Sequence, residues 1–303
     1  VTIPMGTMTD DRIEIETTAK DAESGTHFGK PEGKVTIVDT VEYKGLKKGE
    51  TYKLTGTLMN KETGKAFMVN GKPVTAEKTF KARKSSDTVD MVFTVDSELL
   101  KGKTTVVFED LYQDDIKLAI HADIEDEGQT VYYPEIGTTA KYDIGEKVSK
   151  AEKGITIEDT VKYSGLQAGK SYTMKGKLMD KSTGKPLMVD GKEVVASKTF
   201  TADKPSGEVI MSFTFDASAL SSTEIVVFEN LYKDSTQIAV HADINDEGQT
   251  VSLESDKPPA SPKTGDDIKL FILFALMIAA GASATAVRAI SRKKRIKEEK
   301  TEE

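Results

Sequence analysis

Between residues 13 and 253 the chain is a succession of short segments in which apolar and polar positions alternate, among them KVTIVDTVEY, TYKLTGTLM, TVDMVFTV, TTVVFEDLY and QTVYY. A period of two sends successive side chains to opposite faces of a strand, and the abundance of Val, Thr, Tyr and Phe suits half-buried strands rather than helices. The clusters GLKKGE, KETGK and NGKP, which favour turns, separate these segments. The pattern predicts an all-β chain of immunoglobulin-like, Greek-key β-sandwiches with about seven to nine strands per domain. SEL at 97–99 and SAL at 218–220 read as brief helical turns.

The pattern occurs twice. DTVEYKGL at 39–46 returns as DTVKYSGL at 159–166, TYKLTGTLMNKETGK at 51–65 as SYTMKGKLMDKSTGK at 171–185, and VVFEDLY at 106–112 as VVFENLY at 226–232, all 120 positions on. Upstream, TTAK at 17–20 pairs with TTAK at 138–141 at a spacing of 121, so the repeats differ by one residue in the loop between Ala19 and Lys34. A period this long is that of duplicated domains, not of a solenoid. The sequence therefore divides into domain one at 13–133 and domain two at 134–253. Only YYPEIG at 132–137 joins them, too short for a flexible hinge, and the two are expected to stack as a stiff rod.

The ends change the picture from a soluble pair of domains to an anchored one. Residues 254–267 form a Pro-rich, extended spacer. Residues 268–290 contain Leu270–Val287, 18 positions without a charge, and are expected to cross a membrane as a helix. Residues 291–303 begin SRKKR, a basic tail that marks the cytoplasmic side. Residues 1–12 show no basic segment followed by an apolar one, so they are read as a linker continuing a longer exported protein. Pro262, Lys263, Thr264 and Gly265, followed by the apolar span and the basic tail, resemble the cell-wall sorting signal of Gram-positive surface proteins, with Ser261 where that family usually has Leu. The resemblance implies a sortase that cuts after Thr264 and joins it to peptidoglycan.

Composition narrows the classes further. A formal charge of −8, with basic residues interspersed among acids until the tail, gives no footprint for nucleic acid. The absence of cysteine removes disulfides and thiolate metal sites. Asp123, Glu125, Asp126 and Glu127 could be read as calcium ligands, but they lack the turn glycine and distal bidentate Glu of a known loop, so neither metal nor cofactor is expected.

Candidate chemistry rests on a constellation that both repeats carry. The chain has three histidines, and two of them open HADIEDEGQTV at 121–131 and HADINDEGQTV at 241–251. Domain one sets Thr17, Glu109, His121, Asp126 and Gln129 in order; domain two repeats them as Thr138, Glu229, His241, Asp246 and Gln249. His27 is not repeated as a histidine and reads as a loop residue. This set, with the Val-Val-Phe-Glu strand and the His-x4-Asp-x2-Gln-Thr-Val segment, resembles the VaFE-repeat, or Thr-Gln ester-bond-forming, domain of Gram-positive adhesins.

The resemblance implies that the Thr hydroxyl attacks the Gln carboxamide, expels ammonia and leaves an ester joining first and last strands. His121 would act as base, as a neutral imidazole oriented by a carboxylate can. Glu109, if buried, would stay protonated and donate to the Gln carbonyl or the leaving amine, with the division of labour between Glu109 and Asp126 left open. Thr17 and Thr138 are chosen over Thr18 and Thr139 because Ile15 and Ile136, two positions earlier, mark the inward face.

Three functions compete: a self-cross-linked stalk of a wall-anchored adhesin, a Thr-His-Asp hydrolase, and a host-ligand-binding or pilus-forming domain. The hydrolase is disfavoured because the Gln it would consume is encoded in the chain. With no Trp and 7% aromatics no binding patch stands out. The stalk is the expectation, secreted and covalently held at the wall, touching membrane only through its C-terminal helix and reaching any host ligand through a region further upstream.

Overall fold

In the computed structural model, which describes residues 12–220 and 222–254, the period of two becomes a division between inside and outside. On the first strand, Glu14–Asp21, residues Ile15, Thr17, Ala19 and Asp21 are buried while Glu14, Glu16, Thr18 and Lys20 are exposed. The strand Lys34–Lys44 buries Val35, Ile37, Asp39, Val41 and Tyr43 in the same way.

Each repeat builds two facing sheets. In domain one a three-stranded sheet runs Glu14–Asp21, Lys34–Lys44, Asp87–Asp96. The larger sheet is centred on Lys103–Gln113 and Thr51–Asn60, with Ile116–His121 and Thr130–Tyr133 beside the former and Thr75–Lys81 beside the latter. Ile37, Val41 and Phe93 from one sheet meet Leu54, Leu58, Val107 and Leu111 from the other. Each such side chain contributes about 1.5–3 kcal/mol by leaving water.

Domain two repeats the plan. Glu135–Tyr142, Ile155–Ser164 and Gly207–Phe215 form one sheet, and Ser171–Asp180, Thr223–Lys233, Thr236–His241, Val195–Thr201 and Thr250–Glu254 the main part of the other. Here a short strand, Val148–Lys150, lies parallel to Thr250–Glu254, where domain one has only the bridge Phe28 to Tyr132.

Three details depart from the sequence reading. The segment between Asn60 and Thr75 adds the two-residue strands Lys65–Ala66, Met68–Val69 and Lys72–Pro73, too short to show a period. Ser97–Leu99 is a 3-10 helix, but Ser218–Leu220 is a turn only. The six-residue connection shrinks to Pro134, because Thr130–Tyr133 and Glu135–Tyr142 are both strands.

The repeats abut directly. Gln167 Nε2 donates to Glu127 Oε1 at 2.8 Å, and Phe28 packs on the core of domain two. Gly165, at φ +70°, sits where a Cβ would be 3.0 Å from the Tyr133 carbonyl oxygen. Among the described residues no helix is long and apolar enough to cross a membrane. Glu254, expected to open the spacer, instead ends the strand Thr250–Glu254; the rest of the spacer, the membrane span and the basic tail, with Pro262, Thr264 and Gly265, lie outside the described residues.

Candidate cross-linking sites

Thr17 comes from the three-stranded sheet, where the alternation turns it inward and Thr18 outward. Glu109 comes from the other sheet, inward between Val107 and Leu111 and 1% exposed. Its cross-strand neighbour is Gly56, where an added Cβ would lie 2.6 Å from the Phe93 ring and 2.8 Å from Met91 Cε. Phe93 and Met91 thus occupy the space that a side chain at position 56 would take, and help to shut water out beside Glu109. Gly176 stands opposite Glu229 in the same way, with Phe213 in its place.

Gln129 is carried by a single 3-10 turn, Glu127–Gln129, that leads into Thr130–Tyr133. Asp126 caps that turn, its Oδ1 accepting from Gly128 N at 2.7 Å. The other carboxylate oxygen meets His121 Nε2 at 2.8 Å, and His121 Nδ1 lies 3.3 Å from the Ile15 carbonyl oxygen. The turn is so placed that Gln129, fully buried, points its amide between the sheets.

There Gln129 Nε2 donates to Thr17 Oγ1 and, at 2.5 Å, to Glu109 Oε2, while Thr17 Oγ1 donates to Glu109 Oε2 at 3.4 Å. In domain two Gln249 Nε2 reaches Thr138 Oγ1 at 2.5 Å and Glu229 Oε2 at 2.7 Å. His241 stands 2.8 Å from Asp246 Oδ2 and 3.2 Å from the Ile136 carbonyl oxygen. The ten residues read as cross-linking or catalytic converge, five to a domain.

A family model for the T-Q ester bond containing domain matches residues 13–133 and again 134–253. The chain belongs to that family. It is also distantly similar in structure to a bacterial adhesin from Mobiluncus mulieris containing intramolecular disulfide, isopeptide and ester bond cross-links. That likeness has 12% identity and a TM-score of 0.38, over 80% of this chain and 99% of that one. The C-terminal domain of the AgI/II polypeptide BspA from Streptococcus agalactiae is similar at 12% identity and a TM-score of 0.33, again over 80% of this chain and 99% of that one. None of the curated proteins matches.

In both T-Q domains the histidine and the glutamate hold different places around the threonine and glutamine. No hydrogen bond joins His121 to Thr17 or Gln129; its two ring nitrogens face a carboxylate and a carbonyl, so the ring ties the capped turn to the first strand. Glu109 is the group that touches both reacting residues, and it meets the amide nitrogen, whereas Gln129 Oε1 has no partner. Burial, reinforced by the charge of Asp39, pushes the Glu109 carboxyl up to about 10. Burial and Asp159 push Glu229 up to about 11. Asp246 is lowered, first by its hydrogen bond to His241.

Sequence reasoning missed Asp39 and Asp159, both fully buried. Asp39 pairs across the strands with Ala19 and Met91, one step from Thr17 on the inward face. Neither of its oxygens has a hydrogen bond of ordinary geometry, yet Glu109 and Thr17 lie close enough to influence its titration. Desolvation raises it to about 6, the lower of the pair. Of the two buried acids Glu109 is the one held more firmly in its protonated form. A signal was present: the acid falls in phase with Ile37 and Val41 in a strand whose even partners face water. Among the described residues no cluster of His, Asp and Glu is arranged to hold a metal ion.

Proposed function

We propose that each domain closes one intramolecular ester, Thr17 to Gln129 and Thr138 to Gln249. On this reading the pair is a rigid segment in the stalk of a wall-anchored surface adhesin, each domain an immunoglobulin-like sandwich of Cna B type. The observation that carries the chemistry is the mutual contact of Thr17 Oγ1, Gln129 Nε2 and Glu109 Oε2 in the interior, with Gln249 Nε2 reaching both Thr138 Oγ1 and Glu229 Oε2 in domain two.

As Thr17 Oγ1 attacks Gln129 Cδ, its proton passes to the Asp39–Glu109 pair. Glu109 returns a proton to Nε2, the Cδ–Nε2 bond breaks, and ammonia leaves. A hydroxyl and a primary amide become an ester and ammonia, with the acids left as they began. Holding the groups in contact supplies much of the acceleration, since well-oriented intramolecular reactions reach effective molarities of roughly 10⁵–10⁸ M. His121 and Asp126 keep the turn in place. The reaction runs once per domain because the chain supplies its own amide, so the protein is not a turnover enzyme.

Wall anchoring is supported by the order of Pro262, Thr264 and Gly265, the apolar run from Leu270 and the basic tail, which fits a sortase substrate joined to peptidoglycan. Intact mass of residues 1–255 tests the chemistry: the mass should fall short of the sequence value by two ammonia molecules. The full sequence mass would overturn the ester reading.

A further inference from the structure

The loop after the first strand carries a residue that the family's motif does not contain. In domain one this is His27 and in domain two Lys147, dissimilar in type and 120 positions apart. Their backbones are equivalent: Tyr132 N donates to the His27 carbonyl at 2.8 Å, and Ser252 N to the Lys147 carbonyl at 2.8 Å. Both side chains turn to the segment that holds the reacting glutamine. His27 Nδ1–H donates to the Thr130 carbonyl, one residue after Gln129, at 2.8 Å. Lys147 Nζ donates to the Gly248 carbonyl, one residue before Gln249, at 2.5 Å, and to the Glu247 carbonyl at 3.3 Å.

The Gly248 carbonyl also accepts from Ala140 N at 3.0 Å, two residues beyond Thr138 on the first strand. One oxygen thus fixes the backbone of the glutamine turn to the strand of the nucleophile, with the lysine closing the contact from outside. Half-buried, the Lys147 ammonium also lies in the field of Asp159 and Asp246, the acids on either side of the reacting pair.

We infer that His27 and Lys147 are positioning residues for ester formation, clasps through which the loop after the first strand holds the glutamine turn against the threonine. The inference rests on the ester reading. Two unlike side chains can serve because the task is donation to a backbone carbonyl, which either can perform. Misplacing reacting groups by about 1 Å can slow a reaction roughly a hundredfold.

The whole chain made by cell-free synthesis, quenched in acid at intervals and digested, reports ammonia loss separately for each domain by peptide mass. Lys147→Met should slow domain two by roughly ten- to a hundredfold and leave domain one at its own rate. Lys147→Arg and Lys147→His, which keep a donor, should react near the wild-type rate. As a control on folding, Lys147→Met in a Gln249→Ala background should melt within a few degrees of Gln249→Ala alone.

An unchanged rate in Lys147→Met, equal slowing in all three variants, or a large fall in melting temperature would each overturn the clasp. Absence of ammonia loss in the wild type would overturn the ester reading itself.

Discussion

At the scale of single residues, the paired carboxyls make the unreacted site sensitive to pH in a direction opposite to a salt bridge. A carboxyl raised in the folded state supports the fold while it is protonated. The contribution is full below the ordinary value of 3.8 for Asp39, and declines as pH climbs through about 6 and then, for Glu109, toward about 10. The double variant Thr17→Val, Thr138→Val, which cannot cross-link, should therefore melt lower at pH 9 than at pH 5 in scanning calorimetry. Equal melting temperatures would contradict the buried pair. Asp39→Asn removes the more acidic member of that pair. It should slow ammonia loss in domain one by about 10²-fold or more in a timed mass assay, yet raise the melting temperature at pH 8 on the Thr17→Val background, where an unpaired buried charge is only a burden. The five motif residues could be read from the sequence because each recurs in both repeats, four of them 120 positions on and the threonine 121. Asp39 recurs as well, but within DTVEY it passes for one more polar position of an alternating strand; its phase, inward with Ile37 and Val41, is what sets it apart from Glu42. His27 and Lys147 could not be found by repetition, since the shared element is a backbone hydrogen bond and not a residue type.

At the scale of elements, the main strands were legible because each has one wet face and one dry face, which forces a period of two. The two-residue strands around Met68 and the parallel Val148–Lys150 are too short to carry any period, and the shortness of the connection was hidden because its flanks read as linker although Tyr133 is fully buried. The 3-10 turn was equally hidden: it rests on one cap, Asp126 to Gly128 N. On the Thr17→Val background, Asp126→Ala should lose about 1 kcal/mol in urea denaturation through that cap. Asp126→Asn, which keeps an oxygen for Gly128 N, should lose less. If the two variants are equally unstable, the cap is not what the aspartate supplies. In the reactive protein both should also slow ammonia loss, because the turn that the cap orders is the one that presents Gln129.

At the scale of the whole molecule, the proposed ester would join not merely two strands but two sheets, since Thr17 belongs to the three-stranded layer and Gln129 leads into the larger one. The bonded residues are 112 positions apart, and closing a loop of that length suggests about 4–5 kcal/mol of stabilisation. Relative to wild type, the Gln129→Ala, Gln249→Ala double variant should melt at a markedly lower temperature. Pulled end to end, it should release both domains, whereas the wild type lengthens only outside its bonds; equal extension would refute the mechanical role. The one-residue connection at Pro134 has a further consequence. With both esters closed, the described chain is topologically two rings in series, and a protease cut inside either ring opens it without parting the molecule. Severing the protein with a single cut between the rings requires a hit within the eight residues 130–137, of which Thr130–Tyr133 are buried and Pro134 is the lone residue outside a strand. Partial digestion followed by a denaturing gel should accordingly show nicked wild-type protein still migrating as one covalent species, while the double glutamine variant falls into fragments. On a cell surface exposed to foreign proteases, such a protein would keep its distal end attached after cuts that would shed an ordinary chain.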